Sequence, residues 1–205
     1  MNDIINTEKL TKFYGSVHAV DSISLNIKKG EIYGFLGLNG AGKTTTIRML
    51  LGIIRPTSGK SYLMGKKVHA GNHKLWNNVG YIVEIPYAYP DLTVYENLEI
   101  IRRLRFISDP ESVESVIDKL RLDPYRERKA KDLSHGNAQR LGIAKAIIHN
   151  PEILILDEPT AVLTPQEVDE LFGIMRSLKD QGKTIIFITH KLQEVMAISD
   201  AVTVM

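Results

Sequence analysis

Short apolar runs and amphipathic stretches alternate along the chain. Residues 153–156 form a continuous apolar run, which is typical of a parallel strand buried on both faces. Residues 22–27 alternate polar and apolar side chains, which is typical of a half-buried strand. This alternation predicts an α/β fold. The predicted strands are 22–27, 31–36, 79–83, 153–156, 184–188 and 201–205, and the predicted helices are 43–51, 165–179 and 191–198.

The pattern changes in the middle of the chain, where three helical segments follow one another at 93–105, 109–122 and 134–149. Thr93 and Glu96 have the spacing of a capping box, and Pro110 suits a first helical turn. We therefore predict one domain over residues 1–205, with a helical subdomain at about 86–150 inserted in the α/β core. The sequence Pro-Thr-Ser-Gly at 56–59 predicts a turn.

Composition and charge narrow the functional classes. The chain has 26 lysines and arginines against 24 aspartates and glutamates, a net charge of +2, so we expect no nucleic-acid partner. It has no cysteine, which excludes disulfides and thiolate metal sites. No apolar run approaches the roughly 18 residues that would cross a bilayer, and the first residues show no signal-peptide pattern. If the protein works at a membrane, we expect a separate partner to hold it there.

A glycine-rich segment joins a predicted strand to a predicted helix. It fits the phosphate-loop pattern, whose glycines let successive backbone N–H groups face phosphate oxygens. Lys43 is expected to reach the β- and γ-phosphates and Thr44 to bind Mg²⁺. The alternative is a glycine-rich turn before a core helix, which the strand–loop–helix context disfavours. The predicted nucleotide-binding residues of this segment are Gly37, Leu38, Asn39, Gly40, Ala41, Gly42, Lys43, Thr44 and Thr45.

A carboxylate pair follows the apolar run at 153–156. Asp157 would lie at the carboxyl edge of the sheet, where open α/β folds bind ligands, and could hold Mg²⁺. Glu158 could act as a general base towards the attacking water. The alternative is a carboxylate pair in a surface loop, which the upstream phosphate loop disfavours. Together the two motifs predict an enzyme that binds and hydrolyses a nucleoside triphosphate.

The segment Leu133-Ser134-His135-Gly136-Asn137 resembles the signature sequence of ABC ATPases, usually written LSGGQ. A helix containing Gln139 and Arg140 follows it, as in that family. Ser134 could cap this helix. In the family, the signature of one subunit covers ATP held by another, so the resemblance makes Ser134 and Gly136 nucleotide-binding residues. An ordinary N-capped helix is the alternative.

Three further positions agree with the family in order and spacing. Tyr14 matches the aromatic residue that stacks on adenine, with a core tyrosine as the alternative. Glu84 stands where the family usually has glutamine and is a candidate Mg²⁺ ligand. His190 resembles the switch histidine that contacts the γ-phosphate, with a buried structural histidine as the alternative. Glu158 and His190 are thus the predicted catalytic residues, and Thr44, Glu84 and Asp157 the predicted metal ligands.

The resemblance implies a P-loop NTPase core with an N-terminal antiparallel β part and an inserted helical subdomain. It also implies an Mg²⁺-dependent ATPase subunit that powers an ABC transporter by head-to-tail dimer closure. The partners would be a permease and a second ATPase subunit, as a homodimer or heterodimer, at the cytoplasmic face of the cell membrane. The first 155 or so residues look like bacitracin-type exporter subunits, and the last quarter looks like simple-sugar or nucleoside importer subunits.

Some positions depart from the family pattern, and other functions stay open. His135 and Asn137 alter the signature, and Thr164 replaces the usual aspartate that communicates between the two sites. One alternative is a soluble ABC ATPase that acts on ribosomes or DNA, although such proteins usually carry two cassettes, a long coiled coil or a zinc insertion. Another is a nucleotide-binding module without turnover, which rests on the expectation of further strands beyond Met205.

Overall fold

The computed structural model describes residues 3–69, 71–83 and 87–205. An antiparallel sheet at the N-terminus has the strand order β2-β1-β5-β6, with β3 paired to β1. Its strands are β1 (Asp3–Tyr14), β2 (Val17–Ile23), β3 (Asn26–Lys28), β5 (Ser58–Leu63) and β6 (Lys66–Lys67). This is the N-terminal antiparallel part that the family resemblance implied.

A parallel sheet forms the centre of the fold, with the order β10-β4-β9-β8-β7. Its strands are β4 (Ile32–Leu36), β7 (Val79–Ile82), β8 (Ile153–Asp157), β9 (Thr184–Thr189) and β10 (Ala201–Val204). Every residue of β8 and β9 is buried, so the prediction of parallel strands covered on both faces is confirmed. Because β9 lies between β4 and β8, the carboxyl ends of these three strands meet at one edge.

The helices are α1 (Lys43–Leu50), α2 (Val94–Leu104), α3 (Glu111–Lys119), α4 (His135–Ile147), α5 (Pro165–Asp180) and α6 (Leu192–Ile198). The capping box of Thr93 and Glu96 is present at α2, as predicted. Pro110 is the N-cap of α3 and not its first helical residue. That helix also ends before the predicted residue 122, because Arg121 has a left-handed backbone with φ of 52°.

Two hydrophobic clusters cover the two faces of the parallel sheet. Leu154 and Phe187 pack with side chains of α2, α3, α4 and α5 on one face. Ile155 and Ile186 point to the other face and pack with α1 and the antiparallel sheet. The helical segment at 94–147 therefore shares its core with the sheet, which fixes α4 relative to β8.

Two predictions about the N-terminal part were wrong. Residues 22–27 are not one strand, because Ser22 has a φ of 50° and β2 ends at Ile23 before β3 begins. Residues 56–59 are not a turn alone, since Ser58 pairs with Thr11 at the start of β5. Gly59 has a φ of 82° and its Cα lies against the backbone of Lys9, so it marks an irregular point in the pairing of β1 and β5.

Replacing Gly80 by alanine should destabilise the protein. Gly80 of β7 lies against the backbone carbonyl of Ala146 in α4, and a Cβ there would overlap that oxygen. Since backbone must move to make room, we expect the free energy of unfolding to fall by about 1–3 kcal/mol in urea titration. Gly173→Ala is the matched control, because a Cβ at this exposed position of α5 meets nothing within 4 Å. It should stabilise the protein by about 0.5–1 kcal/mol, and an equal effect of both substitutions would contradict the close approach of β7 and α4.

Candidate functional site

The loop between β4 and α1 surrounds a lysine ammonium group. Gly40 and Gly42 have φ of 86° and 91°, in the left-handed region that glycine tolerates. Lys43, the first residue of α1, is buried, and its Nζ donates hydrogen bonds to the carbonyl oxygens of Gly37 at 2.7 Å and Leu38 at 2.9 Å. The ammonium group and the N-terminus of α1 thus lie together, an arrangement suited to phosphate.

The N-terminal hairpin packs directly on this loop. A Cβ on Gly42 would overlap the backbone carbonyl of Ala19 in β2. Tyr14, which pairs with Val17 at the end of the same hairpin, is 50% exposed, so it is not a core tyrosine. The ammonium of Lys12 lies 5.0 Å from the centre of its ring, so a cation already occupies one face of this aromatic ring.

Asp157 ends β8 with a buried carboxylate that is incompletely satisfied. Its residue is 7% exposed, and Oδ1 has no hydrogen-bond partner. Burial raises the pKa of Asp157, and the charge of Glu158 adds to this shift, against the opposing effects of Thr44, Lys43 and Arg48. A buried oxygen without a partner, beside the Thr44 hydroxyl, is the donor set that Mg²⁺ accepts together with phosphate oxygens. The residues present therefore fit the predicted Mg²⁺.

Glu158 and His190 come together at the same edge of the sheet. Glu158 has a left-handed φ of 46°, and its backbone N–H donates to the carbonyl of Ile188 at 3.1 Å. Its Oε1 lies 3.4 Å from Nδ1 of His190, which directly follows β9. The His190 side chain is 43% exposed, which excludes the alternative of a buried structural histidine. A carboxylate and an imidazole thus lie together at the edge of the sheet where the phosphate loop also begins.

The signature-like segment forms the start of α4. Ser134 is its N-cap and accepts a hydrogen bond from the backbone N–H of Asn137 at 3.3 Å, so the predicted cap is confirmed. A Cβ on Gly136 would overlap the carboxylate of Glu167 in α5. Among the described residues, no hydrogen bond or ion pair joins Ser134 or Gly136 to residues 37–45. The structure therefore packs this segment against α5 of its own chain.

Other predicted positions have simpler outcomes. Glu84 lies outside the described residues. Thr164 caps α5 in a capping box with Glu167. The sequence analysis missed Glu194, whose buried carboxylate binds Thr160 and Thr189. No periodicity links residues that are so far apart in sequence, so only the fold reveals this cluster.

The helices and the charged side chains of the described ranges also bear on the site. No helix there has the length and apolar character that crossing a membrane requires. No group of three or more histidine, aspartate or glutamate side chains there could hold a metal ion.

Comparison with known proteins gives the family. The family model described as ABC transporter matches residues 20–161. The bacitracin transport ATP-binding protein BcrA of Bacillus licheniformis is 43% identical over 98% of this chain, which spans 66% of the relative's length. The galactose/methyl galactoside import ATP-binding protein MglA of Clostridium perfringens is 34% identical over 100% of this chain and 41% of its own.

Solved structures agree with the sequence relatives. The structure of cbiO1 from Clostridium perfringens, described as part of the ABC transporter complex cbiONQ, superposes with a TM-score of 0.90 at 29% identity. It covers 100% of this chain and 85% of that one. The chain therefore belongs to the family of ABC transporter ATP-binding proteins.

Proposed function

We propose that this chain binds and hydrolyses ATP with Mg²⁺ and thereby powers transport through a membrane permease. The observation that carries the proposal is the convergence of Lys43, Asp157, Glu158 and His190 at the carboxyl ends of three adjacent strands. Its relatives are named as transport ATP-binding proteins, which supports the transport role.

Binding begins with the phosphates. The oxygens of the β- and γ-phosphates would replace the carbonyls of Gly37 and Leu38 as partners of Lys43, while the N–H groups of residues 37–45 complete the shell. Tyr14, exposed on the adjoining hairpin, would stack on adenine. When bound by Thr44 and Asp157, Mg²⁺ would neutralise charge on the phosphate oxygens.

Hydrolysis would use Glu158 and His190, which lie together at the same edge of the sheet. Glu158 would accept a proton from the water that attacks the γ-phosphate. His190, 3.4 Å from Glu158, would orient that carboxylate and hydrogen-bond the γ-phosphate. Glu158 has a left-handed backbone, and strained residues of this kind cluster at active sites, which supports its role as the base.

The signature-like segment would form the contact with a second subunit. The start of α4 has no bond to its own phosphate loop among the residues described, so it is available to cover the ATP of another subunit. Ser134 and the N–H of Gly136 would then complete the γ-phosphate shell in a head-to-tail dimer of identical or different subunits. ATP would hold the two surfaces together, and hydrolysis would release them.

The permease would dock at a groove between β7, α2 and α4. This groove has a volume of about 370 Å³ and is lined by Tyr81, Tyr87, Ile101, Arg105 and Lys145 among others. Tyr81 and Tyr87 are 46% and 70% exposed, and exposed aromatic residues are enriched where proteins bind one another. Docking there would hold the chain at the cytoplasmic face of the membrane.

Asp157→Asn should remove the Mg²⁺ dependence of ATP binding. The ATP affinity of this variant, measured by calorimetry, should be the same with and without Mg²⁺. In the presence of Mg²⁺, its ATP affinity should be lower than that of the wild type by roughly tenfold or more. In the wild type, the part of the ATP affinity that depends on Mg²⁺ should decrease as pH falls. The raised pKa of Asp157 lets a proton compete with the ion at a higher pH than it would at an ordinary aspartate.

Lys43→Ala is the contrast for Asp157→Asn. It should weaken ATP by roughly 10²-fold whether or not Mg²⁺ is present, because it removes the buried cation of the loop. An Asp157→Asn variant that keeps its Mg²⁺ dependence would remove Asp157 from the metal site. Unchanged ATP affinity in Lys43→Ala would show that the loop does not bind phosphate.

Glu158→Gln should trap the nucleotide-bound dimer. Without the base we expect hydrolysis to slow by roughly 10²-fold or more, so light scattering should show monomers without nucleotide and dimers with ATP and Mg²⁺. Adding Ser134→Arg should abolish the dimer by bulk and charge while ATP binding persists. Ser177→Arg, on an exposed position of α5, is the control and should leave the dimer intact. A dimer that survives Ser134→Arg would show that the signature segment does not close on a partner.

Tyr87→Ala should uncouple the chain from its permease. In proteoliposomes with the permease encoded beside it, the wild type should hydrolyse ATP several-fold faster than alone, and Tyr87→Ala should lose most of that stimulation because an exposed aromatic anchor is gone. Ile53→Ala, an exposed apolar position after α1, should keep it. Absence of any stimulation of the wild type would argue against the transport role.

A further inference from the structure

A buried carboxylate that touches neither the phosphate loop nor Asp157 lies in α6. Glu194 is 7% exposed. Its Oε2 accepts hydrogen bonds from the hydroxyls of Thr160 at 2.6 Å and Thr189 at 2.7 Å, and its Oε1 pairs with Nζ of Lys191 at 2.9 Å. We call these four residues the Glu194 cluster.

The Glu194 cluster joins the two loops that carry the proposed hydrolysis residues. Thr160 lies two positions after Glu158, and Thr189 directly precedes His190. Lys191 adds two more links, from its Nζ to the carbonyl of Thr160 at 3.3 Å and from its backbone N–H to the Thr189 hydroxyl at 3.1 Å. The carboxylate of Glu194 therefore binds both the loop after β8 and the end of β9.

The loop after β8 needs such support. Glu158 is a non-glycine residue with a left-handed backbone, at φ of 46°. Such a conformation is strained and persists only where its surroundings fix it. Backbone hydrogen bonds to Ile188 and from Ala161 hold the turn itself. The bond from Thr160 to Glu194, together with the bond from Lys191 to the carbonyl of Thr160, links the turn to the loop of His190.

The Glu194 cluster is a fully satisfied polar network. Burial alone would raise the pKa of Glu194, but hydrogen bonds from Thr160, Lys191 and Thr189 outweigh it and hold the pKa below its ordinary value. A buried charge that keeps several hydrogen bonds orients its partners more firmly than a neutral pair would. The distance of 3.4 Å between Glu158 and His190 is long for a hydrogen bond, so a small shift of either loop changes their contact.

We propose that Glu194 is a positioning residue for ATP hydrolysis. By binding Thr160 and Thr189, its carboxylate sets the placement of Glu158 relative to His190. Its side chain acts through Thr160, Thr189 and Lys191. This inference rests on the proposed function, because it concerns the rate of that hydrolysis and not the binding of ATP.

The test compares two identical substitutions in one strand. Thr189→Val removes the hydroxyl that binds Glu194 at the carboxyl end of β9. Thr184→Val is the matched control at the other end of β9, where the buried Thr184 hydroxyl accepts a hydrogen bond from the N–H of Gly30 at 2.9 Å. Thr184→Val loses one hydrogen bond and Thr189→Val loses two, so the free energy of unfolding is measured for both variants beside kcat. Only Thr189→Val should lower kcat, by roughly tenfold, with the affinity for ATP changed less than about twofold.

Thr160→Val and Glu194→Gln extend the comparison to the other side of the cluster. Each should lower kcat at unchanged ATP affinity, and combining Thr160→Val with Thr189→Val should cost less than the product of the single losses, because both act through one carboxylate. The ring signals of His190 in NMR spectra should shift in Thr189→Val and stay in place in Thr184→Val.

The outcomes separate the two proposals. If the wild type hydrolyses ATP and Thr189→Val and Thr160→Val keep the wild-type kcat, the positioning role is wrong while the proposed function stands. An equal fall of kcat in Thr184→Val would also overturn it, since general loss of stability would then explain the effect. A wild type that does not hydrolyse ATP would overturn the proposed function, and the inference with it.

Discussion

The pairing of β9 between β4 and β8 is the constraint on which the site depends. In register, Leu36 lies beside Thr189 and Ile188 beside Asp157. The phosphate loop, the carboxylate pair and the histidine loop each begin where one of these strands ends. Segments more than a hundred residues apart thus share one edge, because parallel strands present their carboxyl ends together. Burial of these strands on both faces keeps this register fixed.

The positive charge of Lys43 and the carboxylate of Asp157 lie at that edge. They suit a ligand that combines negative phosphates with a positive metal ion. Lys43 is held by two backbone carbonyls, and Asp157 keeps a buried oxygen without a partner. The Asp157 oxygen costs stability in the free protein, since a buried polar atom without a partner is unfavourable. A nucleotide phosphate and its cation would satisfy both at once. The left-handed turn at Glu158 also lowers stability in favour of function. The Glu194 cluster supports this turn.

Parts of the fold and site that depend on local patterns could be predicted from the sequence. A few consecutive residues suffice to recognise the apolar run of β8, the glycine-rich loop and the cap of α4. The strands β1 and β5 could not be predicted from periodicity, because their pairing contains a register shift. The strand β6 has only two residues, which is too short to show a period. The Glu194 cluster joins residues 34 apart, and no local rule connects them. The role of Ser134 and Gly136 depends on a second subunit, so it stays a prediction.

Hydrogen exchange of the wild-type chain with and without Mg²⁺ and ATP tests the central claim most directly. If one ligand is held by the ends of three strands, exchange should slow together in residues 37–45, 157–160 and 189–194, because each becomes part of the bound structure. The strand β5, in the antiparallel sheet, should change little. Protection confined to residues 37–45, or no protection at all, would contradict a single site built by β4, β8 and β9.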